Sequence, residues 1–232
     1  FISSMPITAL VENMVPPAPA EVLEAAAKLK YRDFLIVTLI IKKRDLFPDN
    51  WIYIHSPDVK VGRIQNFRSW SEEMLPDTEH SSIGMEYFCN EGDELWRLTN
   101  AELLAQAEAE LRKLNLVGDA EVVDGTVIRQ PKAYPVYDGE YQEALETIRS
   151  WLDRFSNLQP VGRNGMHRYN NQDHSMLTAM LSVKNILGES HDIWAVNVEQ
   201  DYHEEVASSE RSPVGPSYGE RLQPTRLAAE MA

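Results

Sequence analysis

A chain of 232 residues, 43% hydrophobic and 25% charged, has the balance of a globular protein and the length for one large or two small domains. Its formal charge of -14 argues against broad phosphate-driven attachment to nucleic acid or to an anionic membrane surface. Cys89 is the single cysteine, so no intrachain disulfide forms; with no recognisable signal peptide, this points to the cytoplasm.

In chain order, Phe1-Ile2-Ser3-Ser4-Met5-Pro6 reads as strand and loop, and Pro16-Pro17-Ala18-Pro19 interrupts regular structure. Good helix formers over 20–29, with proline just ahead, predict a short helix. The apolar run 34–41 is far short of the roughly 20 residues that cross a bilayer as a helix. Its β-branched content predicts a buried strand over 33–43. Residues 51–55 predict a second strand closed by Ser56-Pro57-Asp58, 61–68 a third, and 82–89 a fourth, in which Ile83, Met85, Tyr87 and Cys89 alternate against Gly84, Glu86 and Phe88. One mainly antiparallel sheet is expected from them.

Thr99 and Glu102 have near capping-box spacing, and Leu103, Leu104, Ala107, Leu111 and Leu114 repeat at helical intervals, predicting a helix over 100–114. Residues 120–130 read as a strand with a turn or bulge at Asp124-Gly125, and Pro131 and Pro135 bar 132–135 from a central strand or helix. A helix over 139–155 carries Tyr141, Leu145, Ile148, Trp151, Leu152 and Phe155 on one side, and 158–161 is a short strand. A polar turn then runs from Gly162 into a helix over 174–187, amphipathic or largely buried, with Asp173 as its N-cap. From about 207 onward the composition is linker-like, although Leu222, Leu227 and Met231 give it some apolar weight. The expected class is α+β: an antiparallel sheet with flanking helices, followed by a strand-turn-helix unit.

That last junction is the most informative feature. A helix start leaves backbone N–H groups unpaired and carries about half a positive charge, which suits phosphate or an electron-rich ring carbonyl. Gly162-Arg163, then Tyr169, then Gln172-Asp173 resembles the C-terminal flavin-contacting signature of the amine-oxidase and UDP-galactopyranose-mutase superfamily. The likeness covers most of residues 1 to about 206, with sharp motifs at 1–6, 60–70 and 162–176. It implies FAD as cofactor, with Gly162 and Arg163 in the turn, Tyr169 beside flavin or substrate, and Gln172 and Asp173 at the helix start. Where mutases often have tyrosine, two positions before Tyr169, this chain has His167.

The G-x-G-x-x-G turn that brings a backbone against the FAD pyrophosphate is missing, since Gly162 and Gly165 have the wrong spacing. The chain is therefore expected to be the C-terminal part of a longer flavoprotein, inactive alone, whose N-terminal FAD-binding segment lies elsewhere. On this reading 1–18 returns from the FAD-binding domain, 19–156 is the substrate-binding domain, 157–206 closes the FAD-binding domain and 207–232 is a tail.

Arg63 lies in Lys60-Val61-Gly62-Arg63-Ile64-Gln65-Asn66-Phe67-Arg68, where its planar fork suits phosphate or carboxylate. The segment resembles the strand on which mutase-like enzymes set an arginine near flavin and substrate; Arg68 is the lesser candidate. Tyr134 and Tyr137 offer ring faces and hydroxyls to a small-molecule substrate. No histidine spacing suits a metal, Asp201-Tyr202-His203-Glu204-Glu205 reads as a solvated face, and Cys89 reads as an inert buried thiol. An oxidoreductase would pass a hydride from substrate to flavin N5, with Arg163 and the helix start stabilising the reduced ring. A nucleotide-sugar mutase would instead use Arg63 and Arg163 on a diphosphate. A catalytically silent recognition or scaffold module remains the alternative from a different class.

Overall fold

The structure, a computed structural model, describes residues 1–75 and 77–197. Ile2–Ser3 (β1) leads into Ile7–Glu12 (α1), a helix the sequence reading passed over because one and a half turns are too few to display a period. Ile7 and Val11, one helical turn apart, are its buried contacts. Ala20–Lys28 (α2) follows the proline run, and Lys30–Ile41 (β2) is the long apolar strand. Trp51–Tyr53 (β3) and Arg63–Asn66 (β4) are shorter than their predicted runs, since the chain turns helical at Phe67–Trp70 (α3).

Ser81–Cys89 (β5) completes four strands of a five-stranded sheet, all neighbours antiparallel, in the order β3-β4-β5-β2 and then Val122–Val136 (β6). Between β5 and β6 lie Glu94–Arg97 (α4) and Asn100–Lys113 (α5). The capping box at α5 is complete: Glu102 N–H donates to Thr99 Oγ1 at 3.2 Å, and Thr99 N–H donates to the Glu102 carboxylate at 2.8 Å.

Period-two alternation sorts the sheet into two faces. Leu35, Val37, Leu39 and Ile41 of β2, with Ile64, Ile83, Met85 and Tyr87, pack under Leu103, Ala107 and Leu111 of α5. Each large aliphatic side chain so buried contributes about 1.5–3 kcal/mol, enough in sum to lock the register. Gly125 is required where β6 passes beneath α5: a Cβ there would meet Leu104 Cδ2 at 2.5 Å and Thr38 O at 2.9 Å. The bulge foreseen near Asp124-Gly125 is present as a register shift between Ile40↔Asp124 and Ile41↔Val122.

The strand does not stop at Gln130. It runs on through Pro131 and Pro135, which an outer strand tolerates because it lacks a neighbour on one side. A second shift falls beside Pro131, where Lys132 takes a positive φ of 53° and donates its N–H to Asp33 Oδ1 at 2.7 Å.

A second core joins the two ends of the described chain. Tyr141–Leu152 (α6) presents Ala144, Ile148, Trp151 and Leu152 to Val22, Ala25 and Ala26 of α2 and to Ile7 and Val11 of α1. Gln159–Pro160 (β7) then pairs in parallel with β1, Ile2 opposite Gln159 and Ser3 opposite Pro160. One turn of helix, Gly162–Gly165 (α7), presses directly on β1. A Cβ on Gly165 would sit 2.7 Å from Ser3 O and 3.3 Å from Ser4 Cα, and both obstacles are backbone. Gly165→Ala is accordingly expected to lower unfolding free energy by about 1–3 kcal/mol in urea titration. Gly139→Ala, where nothing lies within 4 Å of the added carbon, is the control and should leave the midpoint in place.

Gln172–Ile186 (α8) corrects two expectations. Its N-cap is Asn171, not Asp173: the helix starts two residues earlier, and Asn171 N–H donates to His174 Nδ1 at 3.3 Å. Its polarity is also inverted. Thr178 and Ser182 are fully buried, whereas Met176, Met180 and Ile186 are each more than half exposed, at 66%, 58% and 60%. Small hydroxyl residues let the helix approach the preceding turn, where Thr178 Oγ1 accepts the Gly162 N–H at 3.1 Å and itself donates to Ser175 O at 2.8 Å. The hydrophobic period of this helix therefore marks an outward face.

Candidate functional site

The sheet face opposite α5 carries the chemistry. Cross-strand partners share a face, so the pairs Tyr53↔Arg63, Arg63↔Glu86 and Trp51↔Gln65 place Trp51, Tyr53, Arg63, Gln65 and Glu86 side by side. Glu86 is only 1% exposed. A buried carboxylate requires a partner, and Arg63 Nε supplies it at 2.5 Å, while the Gln65 amide donates to the other carboxylate oxygen.

The remaining guanidinium nitrogens of Arg63 donate to Tyr53 Oη at 3.3 Å and Tyr134 Oη at 3.2 Å. Its carbon lies 5.6 Å from the Trp51 ring centre and 5.7 Å from that of Tyr53. Burial works against the charge on Arg63, yet the Glu86 carboxylate and the hydrogen bonds Arg63 donates to Tyr53 and Glu86 hold its affinity for the proton above the ordinary arginine value.

Tyr134 links this network to the turn. Its ring stacks on Tyr169 with centres 5.5 Å apart and planes 15° from parallel, and Phe34 and Phe88 flank it at 5.9 and 6.0 Å. Arg163 approaches both tyrosines, its guanidinium carbon 4.9 Å from the Tyr134 centre and 4.6 Å from that of Tyr169. Arg163 Nε donates to Asn170 O at 2.9 Å, which fixes the side chain against the loop it precedes. Four residues singled out in the sequence, Arg63, Tyr134, Arg163 and Tyr169, thus stand in one continuous cluster although they come from β4, β6, α7 and a loop.

The others are placed differently. Gly162 is buried with a φ of +79°, a left-handed conformation open to glycine, and its amide is already given to Thr178. At the start of α8, Gln172 and Asp173 are both exposed residues, in the first turn, where helix amides lack intrahelical partners. Tyr137 turns its hydroxyl to the backbone, accepting the Tyr169 N–H at 2.6 Å, and stacks on Tyr141 at 4.5 Å; it holds the loop that carries Tyr169. Arg68 donates to Asp77 O and His80 O, bracketing the loop before β5. His167 is fully buried at a positive φ of 45°, edge-on to Tyr31, and burial pushes its imidazole down to about 4. Cys89 is buried and its thiol is pushed up by desolvation, a setting that disfavours the reactive thiolate. The acidic cluster at 201–205 lies outside the described residues.

Sequence reading missed Tyr53, Gln65 and Glu86. A signal existed for the last: Glu86 interrupts an otherwise apolar strand, and an acid buried there needs a cation across the ladder.

No known protein family matches the chain, and no curated protein does. Solved structures do match in fold. A structure of reduced UDP-galactopyranose mutase superposes with a TM-score of 0.72 at 21% identity, covering 85% of this chain and 42% of the mutase. A putative protoporphyrinogen oxidase from Exiguobacterium sp. 255-15 does so with a TM-score of 0.55 at 15% identity, covering 78% of this chain and 40% of the oxidase. The chain thus spans less than half the length of the structures it matches. Its described part has the α+β fold of their corresponding portion. Among the described residues, no helix is long and apolar enough to cross a membrane.

Proposed function

We propose that the chain supplies the substrate-binding domain, 19–156, and the C-terminal flavin-facing turn and helix, within 157–206, of an FAD-dependent oxidoreductase acting on a small molecule. The observation that carries this reading is the meeting of Arg163 and Tyr169, from the turn with the flavin signature, with Tyr134 and Arg63 from the sheet. The residues present fit FAD: Gln172 and Asp173 in the first turn of α8 are exposed, the amides of a first helical turn lack intrahelical partners, and Arg163 lies nine residues before Gln172, in α7.

When bound, FAD supplies the electron chemistry. Gln172 and Asp173 amides would face the electron-rich edge of its ring, Arg163 would add positive charge there, and Tyr169 would wall the substrate side, held by Tyr137. Arg63 and Tyr134 would orient the substrate. The outward apolar face of α8, through Met176, Met180, Val183 and Ile186, fits burial against a further FAD-binding segment. Segment 1–18 would join 157–206 as part of that domain, consistent with the β1–β7 pair.

Two observations weigh for an oxidoreductase over a nucleotide-sugar mutase. Arg63 is already neutralised by Glu86, so it brings little net charge to a diphosphate, and His167 replaces the mutase tyrosine with a fully buried ring. The test is to produce the protein together with the coding sequence preceding Phe1 in its gene and to reconstitute it with FAD. A stoichiometric flavin absorbance spectrum, with weaker flavin retention in Asp173→Ala, is expected. A colourless protein after reconstitution would overturn the proposal and leave the recognition or scaffold module.

A further inference from the structure

We propose that Asn197, carried by the segment 193–197 that returns after α8, is a positioning residue for the Arg163–Tyr169 turn: its side-chain amide fixes the Tyr169 backbone and, through Asn170, the Arg163 guanidinium. The inference rests on the reading of that turn as flavin-facing, and deepens it by naming what holds the turn in place.

The first argument is the direction of the hydrogen bonds. Asn197 Nδ2 donates to Tyr169 O at 2.9 Å and to Asn170 Oδ1 at 3.2 Å, so one amide group grips two successive residues of the turn. Asn170, only 1% exposed, passes the contact on: its own Nδ2 donates to Gly162 O at 3.2 Å, and its backbone oxygen accepts Arg163 Nε at 2.9 Å. A carbonyl can only accept, so Gly162 O sets which end of the Asn170 amide faces Asn197. That end is the oxygen. Residue 197 must therefore donate to two acceptors at once, and the NH2 group of asparagine has the two protons to do it. An ionised aspartate of the same shape has none.

The second argument is that the turn is held from two sides. Tyr137 Oη accepts the Tyr169 N–H at 2.6 Å, whereas Asn197 binds the Tyr169 carbonyl. Because the Tyr169 ring stacks on Tyr134 and Arg163 approaches both rings, a shift of this backbone moves the whole cluster. The third argument is that the return segment is seated without the Asn197 side chain. Arg168 donates to the backbone oxygens of Trp194, Val196 and Asn197 at 2.5, 2.9 and 3.3 Å, and Trp194 is buried in the second core. Asn197 then takes a φ of +53°, a left-handed conformation that asparagine adopts more readily than most residues. Loss of its side chain thus leaves the segment anchored and removes the grip on the turn.

The experiment is NMR on the whole chain, comparing Asn197→Asp, which keeps the shape and loses the donors, with Asn197→Gly, which suits the backbone and loses the side chain. Asn115→Asp, the same exchange at a left-handed asparagine just past α5, is the control. Solvent exchange of the Arg163 Nε–H is expected to quicken about ten-fold or more in both Asn197 variants, with loss of the NOEs between the Tyr134 and Tyr169 rings, while the β2 amides keep their parent rates. Arg163 exchange left at the parent rate in either Asn197 variant, or quickened equally by Asn115→Asp, would overturn the assignment. So would an equal loss of protection in β2, the mark of general destabilisation. In the longer protein reconstituted with FAD, Asn197→Gly changes no charge and is expected to lower the flavin midpoint potential, because Arg163 no longer keeps its place beside the reduced ring; an unchanged potential would overturn that link between turn and ring. The two readings fail separately. A longer protein that takes up no flavin sinks the flavoenzyme reading and leaves the exchange result intact, whereas flavin uptake with unaltered Arg163 exchange sinks the role of Asn197 alone.

Discussion

Replacing Glu86 with alanine is expected to lower the unfolding free energy by about 3–5 kcal/mol, the magnitude found when one partner of a buried ion pair is removed. Arg63 is 8% exposed and would be left in place without the carboxylate that faces it across the ladder, which its Nε now meets at 2.5 Å. The Gln65 amide would lose its acceptor in the same step. Loss comes from the stranded cation more than from the broken contact, and this gives a second arm to the measurement. The double variant Arg63→Met, Glu86→Leu removes both charges and should regain much of the stability, because an apolar pair avoids the desolvation penalty altogether. Urea unfolding of the three variants measures the coupling. A single-variant loss below about 1 kcal/mol, the range of exposed pairs, would show that the Arg63–Glu86 contact is solvated and that this sheet face lacks the buried network described above.

The ion pair also shows what kind of structure was legible in the chain. Local signals survived: the Thr99–Glu102 capping box, the one-sided apolar stripe of α6, and the β-branched run of β2 each fix an element from neighbouring residues alone. Arg163 and Tyr169 were singled out in one signature, and Arg63 and Tyr134 each apart from it; the fold brings all four into one cluster. What joins them was not legible. Tyr134 reaches Arg63 from a strand three positions across the sheet, and Glu86 faces Arg63 through a pairing register that no local window contains.

The apolar period of α8 misled for a different reason. Periodicity reports that a helix has an apolar stripe and not which side meets the core of the described chain; the deciding contact is Thr178 gripping the Gly162 amide sixteen residues back. Pro131 and Pro135 likewise argued correctly against a central strand, yet an edge strand with a bulge accommodates both.

His167 carries the second large effect, an acid-side loss of stability. Its imidazole is pushed down to about 4 from an ordinary 6.5 by burial, and the Val136 backbone and the Asp138 charge pull it back only in part. Between those two values the unfolded chain binds a proton that the folded chain refuses. Stability is therefore fully present above about pH 6.5 and falls as pH drops toward about 4, by on the order of 3 kcal/mol from this one group. The carboxylates held below their usual range, Asp77, Glu102, Asp138 and Glu189, contribute at more acid pH, since their ordinary values are 3.8 for aspartate and 4.5 for glutamate. The upper part of the window thus reports chiefly on His167.

His167→Phe keeps a ring against Tyr31 and removes the proton site, and neither nitrogen it replaces makes a well-formed hydrogen bond. A bulky residue at a φ of +45° is uncommon, so the plateau above pH 6.5 should itself drop. The slope is what distinguishes the causes. Urea midpoints from pH 7.5 to 4.5 should decline steeply in the parent chain and stay nearly level in His167→Phe; parallel declines would mean that the imidazole at this position meets water and titrates as it does in an unfolded chain.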